Sequence, residues 1–143
     1  MNSIHRIFSN GVAIERVILV RATINDAQEI KDNLLDDIDC DKIIIDLSTC
    51  NYIDSSFFGA MVFAYRLLKH QGCSVALVVG RTFLSRSFIY KEIASVFKVY
   101  HSMTEAMQAL TNPFKKLCWN NESAERKIEP ANLVQLPLQL NPE

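Results

Sequence analysis

Lys42-Ile43-Ile44-Ile45-Asp46-Leu47 is a short, nearly uninterrupted apolar run. A strand with one wet face alternates apolar and polar residues, so this run predicts a strand covered on both faces and central in a sheet. Ser74 to Val79 reads as a second buried strand. Between them a helical stretch runs from Ser55 to Gln71 and stops at Gly72.

The flanking segments extend the pattern. Ile4 to Arg21 reads as two pairing strands around the turn signal Asn10-Gly11, with Val17-Ile18-Leu19-Val20 as the buried second strand. Ala27, Ile30, Leu34 and Ile38 recur at helical spacing, with Asn25 as the expected N-cap, Gln28 completing a capping-box-like start, and Glu29, Lys31, Asp32 and Asp36 on a solvated face. Thr82 to Lys91 reads as a shorter helix and Val96 to Tyr100 as a last strand. Ser102-Met103-Thr104-Glu105 is a capping box opening a final helix through Leu110. This β-β-α-β-α-β-α-β-α order predicts an α/β domain with amphipathic helices packed on a mixed, mostly parallel sheet.

Pro113 ends the regular region, so the expected division is a domain over residues 1–112 and a C-terminal tail over 113–143. Within the tail, Val134, Leu136, Leu138 and Leu140 share one parity, while Pro137 restricts the segment to an edge strand or a polyproline-like form. Two readings stay open: a disordered tail, or a segment that docks on a groove or sheet edge.

Bulk properties exclude several functions. The net charge of −1 and scattered basic residues argue against nucleic acid as a direct partner. Cys40, Cys50, Cys73 and Cys118 show no zinc-ligand spacing, so neither a metal site nor a disulfide framework is expected, and they read as reduced thiols. No cofactor is implied. No run approaches the roughly 18 apolar residues of a spanning helix, and Arg6 is not followed by a signal-like apolar stretch, so membrane insertion is not expected and the predicted location is cytoplasmic.

The chemistry concentrates at Tyr52-Ile53-Asp54-Ser55-Ser56-Phe57-Phe58-Gly59. Two adjacent hydroxyls stand at a helix start, where unpaired N–H groups and the helix dipole favour an anion. One of Asp54, Ser55 and Ser56 is expected to act as N-cap, which needs one oxygen and leaves the other polar groups unexplained. On a helical wheel Phe57, Met61, Ala64 and Leu68 centre the core face, flanked by Phe58, Val62, Tyr65 and Leu67. Gly59, Phe63, Arg66 and His70 form the opposite stripe. Phe63 is therefore either a contact residue beside the serines or an aromatic partly buried under the tail.

The strand Ile43 to Leu47, the segment Tyr52 to Ser56, Gly59, the helix to Gly72, the strand Val75-Ala76-Leu77-Val78, and Val96 to Tyr100 with Ser102 to Ala106 together resemble the STAS domain of bacterial anti-sigma factor antagonists. The resemblance covers about residues 4 to 110. It implies a non-enzymatic partner-switching regulator, which when unphosphorylated binds an anti-sigma factor that is also a serine kinase of GHKL type, and which a PP2C-type phosphatase restores. The family's phosphoacceptor follows the Asp, matching Ser55, with Ser56 as the fallback. Asp54, Ser56, Gly59, Phe63 and Arg66 are the expected partner-binding residues. The family often has Gly after the two hydroxyl residues; this chain has Phe57.

Two other functions compete. A nucleophilic Ser55 with Asp54 and His5, His70 or His101 lacks a G-x-S-x-G elbow, and the phosphate-loop pattern is also missing. A non-catalytic STAS scaffold subunit of a transporter or signalling assembly would keep the same fold and use Ser55 only as a cap.

Overall fold

The computed structural model describes residues 3–81 and 89–112. Strands β1 (Ile4–Ser9) and β2 (Val12–Val17) form an antiparallel hairpin. Asn10 and Gly11 join them with φ of 52° and 79°. Both residues occupy the left-handed region that a two-residue hairpin turn of this hand requires, and Asn and Gly tolerate it best. The turn pairs Ser9 with Val12, which sets the register of the hairpin.

That register corrects one expectation. The second strand is Val12–Val17 and not Val17 to Val20, of which Ile18 and Val20 are 47% and 60% exposed. Beyond Val17 the chain leaves the main sheet, and the Val20 carbonyl accepts instead from the N–H groups of Asn51 and Tyr52.

β4 (Lys42–Leu47) pairs in parallel with β2 on one side and with β6 (Ser74–Val79) on the other. β6 in turn pairs with β7 (Lys98–Tyr100), giving the order β1-β2-β4-β6-β7. The Ile43-Ile44-Ile45 run is fully buried on both faces, as its missing alternation requires. Two short strands, β3 (Arg21–Ala22) and β5 (Tyr52–Ile53), form a separate parallel pair. The sequence reading contained neither.

Helix α1 (Ile24–Asp36) and helix α2 (Ser55–His70) pack against each other. Ile30 and Leu34 of α1 and Phe57, Met61, Ala64 and Leu68 of α2 join the core formed by Ala13, Val17, Ile43, Ile45, Val75 and Leu77. The cap of α1 differs from expectation. Thr23 is the N-cap, and its capping box closes through Asp26, which accepts from Thr23 N–H at 3.0 Å; Asn25 and Gln28 do not take these roles. Thr23 is extended and precedes the first helical residue, whereas Asn25 already lies inside the helix. Glu29 is not simply solvated, since it accepts from the N–H groups of Ser3 and Ile4. Ile38 lies past the end of α1 and is 38% exposed.

α2 ends as expected. Gln71 is its C-cap and Gly72 follows at φ 91°, a conformation that terminates helices at little cost only for glycine. Helix α3 (Tyr90–Val96) extends past Lys91, so the last strand begins at Lys98 and not Val96. Phe97 N–H still donates to the Ile93 carbonyl, and the Phe97 ring packs 4.7 Å from that of Tyr65. Helix α4 (Met103–Thr111) starts where Ser102 Oγ accepts from Glu105 N–H. Residues 82–88 of the expected Thr82 to Lys91 helix, Cys118, and the whole 113–143 segment with its Val134 to Leu140 alternation lie outside the described residues.

Candidate functional site

The loop leaving β4 turns tightly. Asp46 Oδ1 accepts from Ser48 N–H, and Cys50 N–H donates to the Leu47 carbonyl. The chain then pairs with the segment before α1. Asn51 and Tyr52 N–H groups donate to Val20, and Asp54 N–H donates to Ala22 at 3.1 Å. Arg21 stacks on the Tyr52 ring, 4.2 Å from its centroid, an attraction between cation and aromatic face. Ser55 is thus carried by a segment tied at several points to a neighbouring element.

Asp54 performs the capping. Its Oδ1 accepts from Phe57 N–H at 2.8 Å, which satisfies an orphan donor of α2. Its Oδ2 accepts from Ile24 N–H at 3.0 Å, at the first residue of α1. One carboxylate therefore holds two helix starts together. Neither serine is needed as a cap, and neither hydroxyl has a hydrogen-bond partner among the described residues. Ser55 is exposed and Ser56 half-buried.

Phe57 is completely buried, so the bulky residue after the serines points into the core, where the wheel placed it. The opposite stripe is outside: Gly59, Phe63, Arg66 and His70 are all exposed, Phe63 by 53%. Lys31 of α1 sits over the Phe63 ring at 5.3 Å. A shallow groove of about 520 Å³ runs along α2, lined by Phe58, Gly59, Val62, Phe63, Arg66 and Leu67. The structure thus brings Gly59, Phe63 and Arg66 to one groove, while Asp54, Ser55 and Ser56 stand at the start of the same helix.

Among the described residues Ser55 makes no hydrogen bond to a histidine, so the nucleophile alternative lacks its base contact. Both Asp54 oxygens are taken by backbone N–H groups, and His70 lies at the far end of α2, about 22 Å along the axis at 1.5 Å per residue. His5 is on the outer strand β1 and His101 follows β7. Among the described residues there is no group of three or more His, Cys, Asp or Glu side chains able to hold a metal ion. None of their helices is long and apolar enough to cross a membrane. Cys50 and Cys73 are buried and Cys40 partly so; burial is the first cause that raises all three thiols above their ordinary range.

Sequence reasoning missed the double role of Asp54 and the β3/β5 pair. The Thr23-x-x-Asp26 spacing was available as a signal for the start of α1. Nothing local marks Ile24 N–H as a partner for Asp54, thirty residues away.

Comparison with known proteins is consistent with this architecture. No curated protein matches the chain by sequence. An anti-sigma factor antagonist (STAS) domain protein of Planctomyces limnophilus superposes with a TM-score of 0.66 at 19% identity, over 78% of this chain and 99% of that one. A proposed anti-sigma factor antagonist of Thermotoga maritima gives 0.62 at 22% identity, over 75% and 93%. The Bacillus cell fate determinant SpoIIAA, in its phosphorylated form, gives 0.55 at 14% identity, over 73% and 96%. At these identities the structures share a fold with the chain. The family of STAS domains matches residues 20–106, from the loop after β2 through the first turn of α4, and so includes the Asp54-Ser55 junction. With that match over most of the sequence and the same fold in its structural relatives, the chain belongs to the STAS domain family.

Proposed function

We propose that the protein is an anti-sigma factor antagonist that switches partners through reversible phosphorylation of Ser55, with Ser56 as the fallback acceptor. The observation that carries this reading is the division of labour at the start of α2: Asp54 caps two helices, leaving Ser55 exposed and uncommitted. A phosphate there would gain from the dipole of α2 and be repelled by Asp54, so the fold could accept it while the local surface became strongly negative. Structural relatives described as anti-sigma factor antagonists, one of them known in both unphosphorylated and phosphorylated forms, support the same reading.

The partner is an anti-sigma factor that is also a serine kinase of GHKL type, and a PP2C-type phosphatase reverses the modification. Asp54, Ser56, Gly59, Phe63 and Arg66 form the docking surface, in which an exposed aromatic and an arginine are the anchor types that carry binding energy. The protein works in the cytoplasm without catalysing a reaction itself. Residues 1–112 form the switching domain and residues 113–143 an extension.

Incubation of the full chain with ATP and each GHKL-type kinase of its own genome, followed by mass mapping, tests this. Phosphate is expected on Ser55. Ser55→Asp should weaken kinase binding by roughly tenfold or more through misplaced negative charge, while Ser55→Ala binds as wild type and takes no phosphate. Equal, weak effects of both substitutions with no phosphate on either serine would reject the switch in favour of a constitutive scaffold.

A further inference from the structure

A second polar cluster, beneath α1, is not used by the Ser55 site. Arg6 of β1, Glu15 of β2 and Asp37, the C-cap of α1, meet there. Arg6 Nε lies 2.7 Å from Glu15 Oε2 and 3.0 Å from Asp37 Oδ1, and Arg6 Nη2 donates to the Asn33 carbonyl at 2.8 Å. Asn33 Nδ2 donates to Glu15 Oε1 at 3.3 Å. The Glu15 and Asp37 side chains are 0% and 2% exposed. Two acids almost without solvent thus share one guanidinium.

Both Glu15 oxygens accept hydrogen bonds, from Arg6 Nε and Asn33 Nδ2, and Asp37 Oδ1 is in ion-pair contact with Arg6 Nε, but Asp37 Oδ2 is buried with no hydrogen-bond partner among the described residues. Glu15 Oε2 and Asp37 Oδ1 lie 2.7 and 3.0 Å from the same Arg6 Nε, which brings the two carboxyls side by side. Two ionised carboxylates there would present only acceptors to each other and repel; a carboxylic acid supplies an O–H donor. The position of Asp37 adds to this, because it stands at the negative end of the α1 dipole and the last turn of α1 contains no basic residue.

We propose that the fold holds one proton between Asp37 and Glu15, and that this shared proton clasps the N-terminal hairpin to the end of α1. The groups facing it come from every element around it: Arg6 from β1, Glu15 from β2, Asn33 and Asp36 from α1, Cys40 from the next loop and Cys73 from the turn before β6. The two thiols are held protonated by burial and neighbouring acids, so they add no charge at neutral pH. Arg6 is the cation of the cluster, and its guanidinium is pushed up chiefly by its hydrogen bond to Glu15. Burial first, then the Glu15 hydrogen bond and charge, push the Asp37 carboxyl up to about 8, with Arg6 opposing.

In the unfolded chain Asp37 loses its proton near its ordinary value of 3.8, whereas the folded protein retains it. The contribution is therefore complete below about pH 4 and is lost progressively as pH rises toward about 8. Above that range the clasp contains two negative charges on one cation, and separating the hairpin from α1 relieves them.

The test is a carbon-detected NMR titration of the full chain. The Asp37 carboxyl carbon is expected to stay at its protonated shift at neutral pH and to move with a midpoint near 8, together with the amides of Ile4–Val17. Asp37→Asn, which keeps a donor without the charge, should abolish that movement of the hairpin amides. It should also flatten the fall in unfolding midpoint between about pH 5 and about pH 8. A carboxyl carbon titrating in the ordinary range, or hairpin amides that move in Asp37→Asn as in wild type, would overturn the proposal. If Asp37→Asn does not fold, the wild-type titration alone decides.

Discussion

Asp54 and Asp37 are the same residue type placed at opposite ends of two neighbouring helices. Asp54 is the N-cap of α2, at the positive end of a dipole, and each of its oxygens accepts from a backbone N–H. Asp37 is the C-cap of α1, at the negative end of a dipole, buried beside a second acid with one oxygen unsatisfied among the described residues. At Asp54 the surroundings supply donors, so the carboxylate can serve as a fixed post and release Ser55 for other chemistry. At Asp37 they supply too few, so a proton must make up the difference. What a carboxylate does in this fold is set by the donors around it more than by its sequence neighbours.

Removing the cation should have the largest effect on this contrast. Arg6→Ala leaves two buried acids with no positive partner among the described residues, and a loss of about 3 kcal/mol is expected, at the low end for a broken buried pair because Arg6 is itself partly exposed. Chemical denaturation measures it; a loss as small as a surface substitution would mean that water already reaches the cluster. Asp54→Ala comes next. It orphans Phe57 N–H and Ile24 N–H together, and about 2 kcal/mol should be lost, the sum of a cap and a second hydrogen bond. A loss near ~1 kcal/mol would show that the link to α1 contributes little.

Ser55→Ala should be the smallest of the three. With Asp54 capping α2, removing the Ser55 hydroxyl is expected to change stability by less than about 0.5 kcal/mol in the same assay. A loss of about 1 kcal/mol, typical of a cap, would instead assign Ser55 a structural role and erase the distinction between it and Asp54.

Much of the fold was legible because its signals are local. The buried set Phe57, Met61, Ala64 and Leu68 follows from helical spacing alone, and it explains how Phe57 fits where the family often has glycine. Asn10-Gly11 predicted its turn through the backbone conformation these residues tolerate. The apolar segment Val17 to Val20 misled because composition cannot tell a strand in the sheet from a loop leaving it. The β3/β5 pair, two residues per strand, is too short to leave a periodic trace.

The candidate site divides in the same way. Its location, at a helix start after a buried strand with Gly59, Phe63 and Arg66 on the outer stripe, was readable from periodicity. Which of Asp54, Ser55 and Ser56 caps the helix was not, since all three are competent N-caps. Glu15 and Asp37 gave no sign of being buried, because an acid in a strand or at a helix end usually reads as solvated.

By itself the sequence determined the alternation of strands and helices, the central place of Lys42–Leu47, and the junction where two hydroxyls precede an apolar helix. These rest on backbone propensity and on side-chain period, which a chain carries before it folds. Only the tertiary structure decided that Asp54 would tie two helices together, leaving Ser55 exposed, and that Asp37 would meet Glu15 over one guanidinium. Those outcomes depend on which donors and acceptors long-range packing brings within 3 Å or so, and residues thirty apart in the chain acquire that proximity only when the chain has folded.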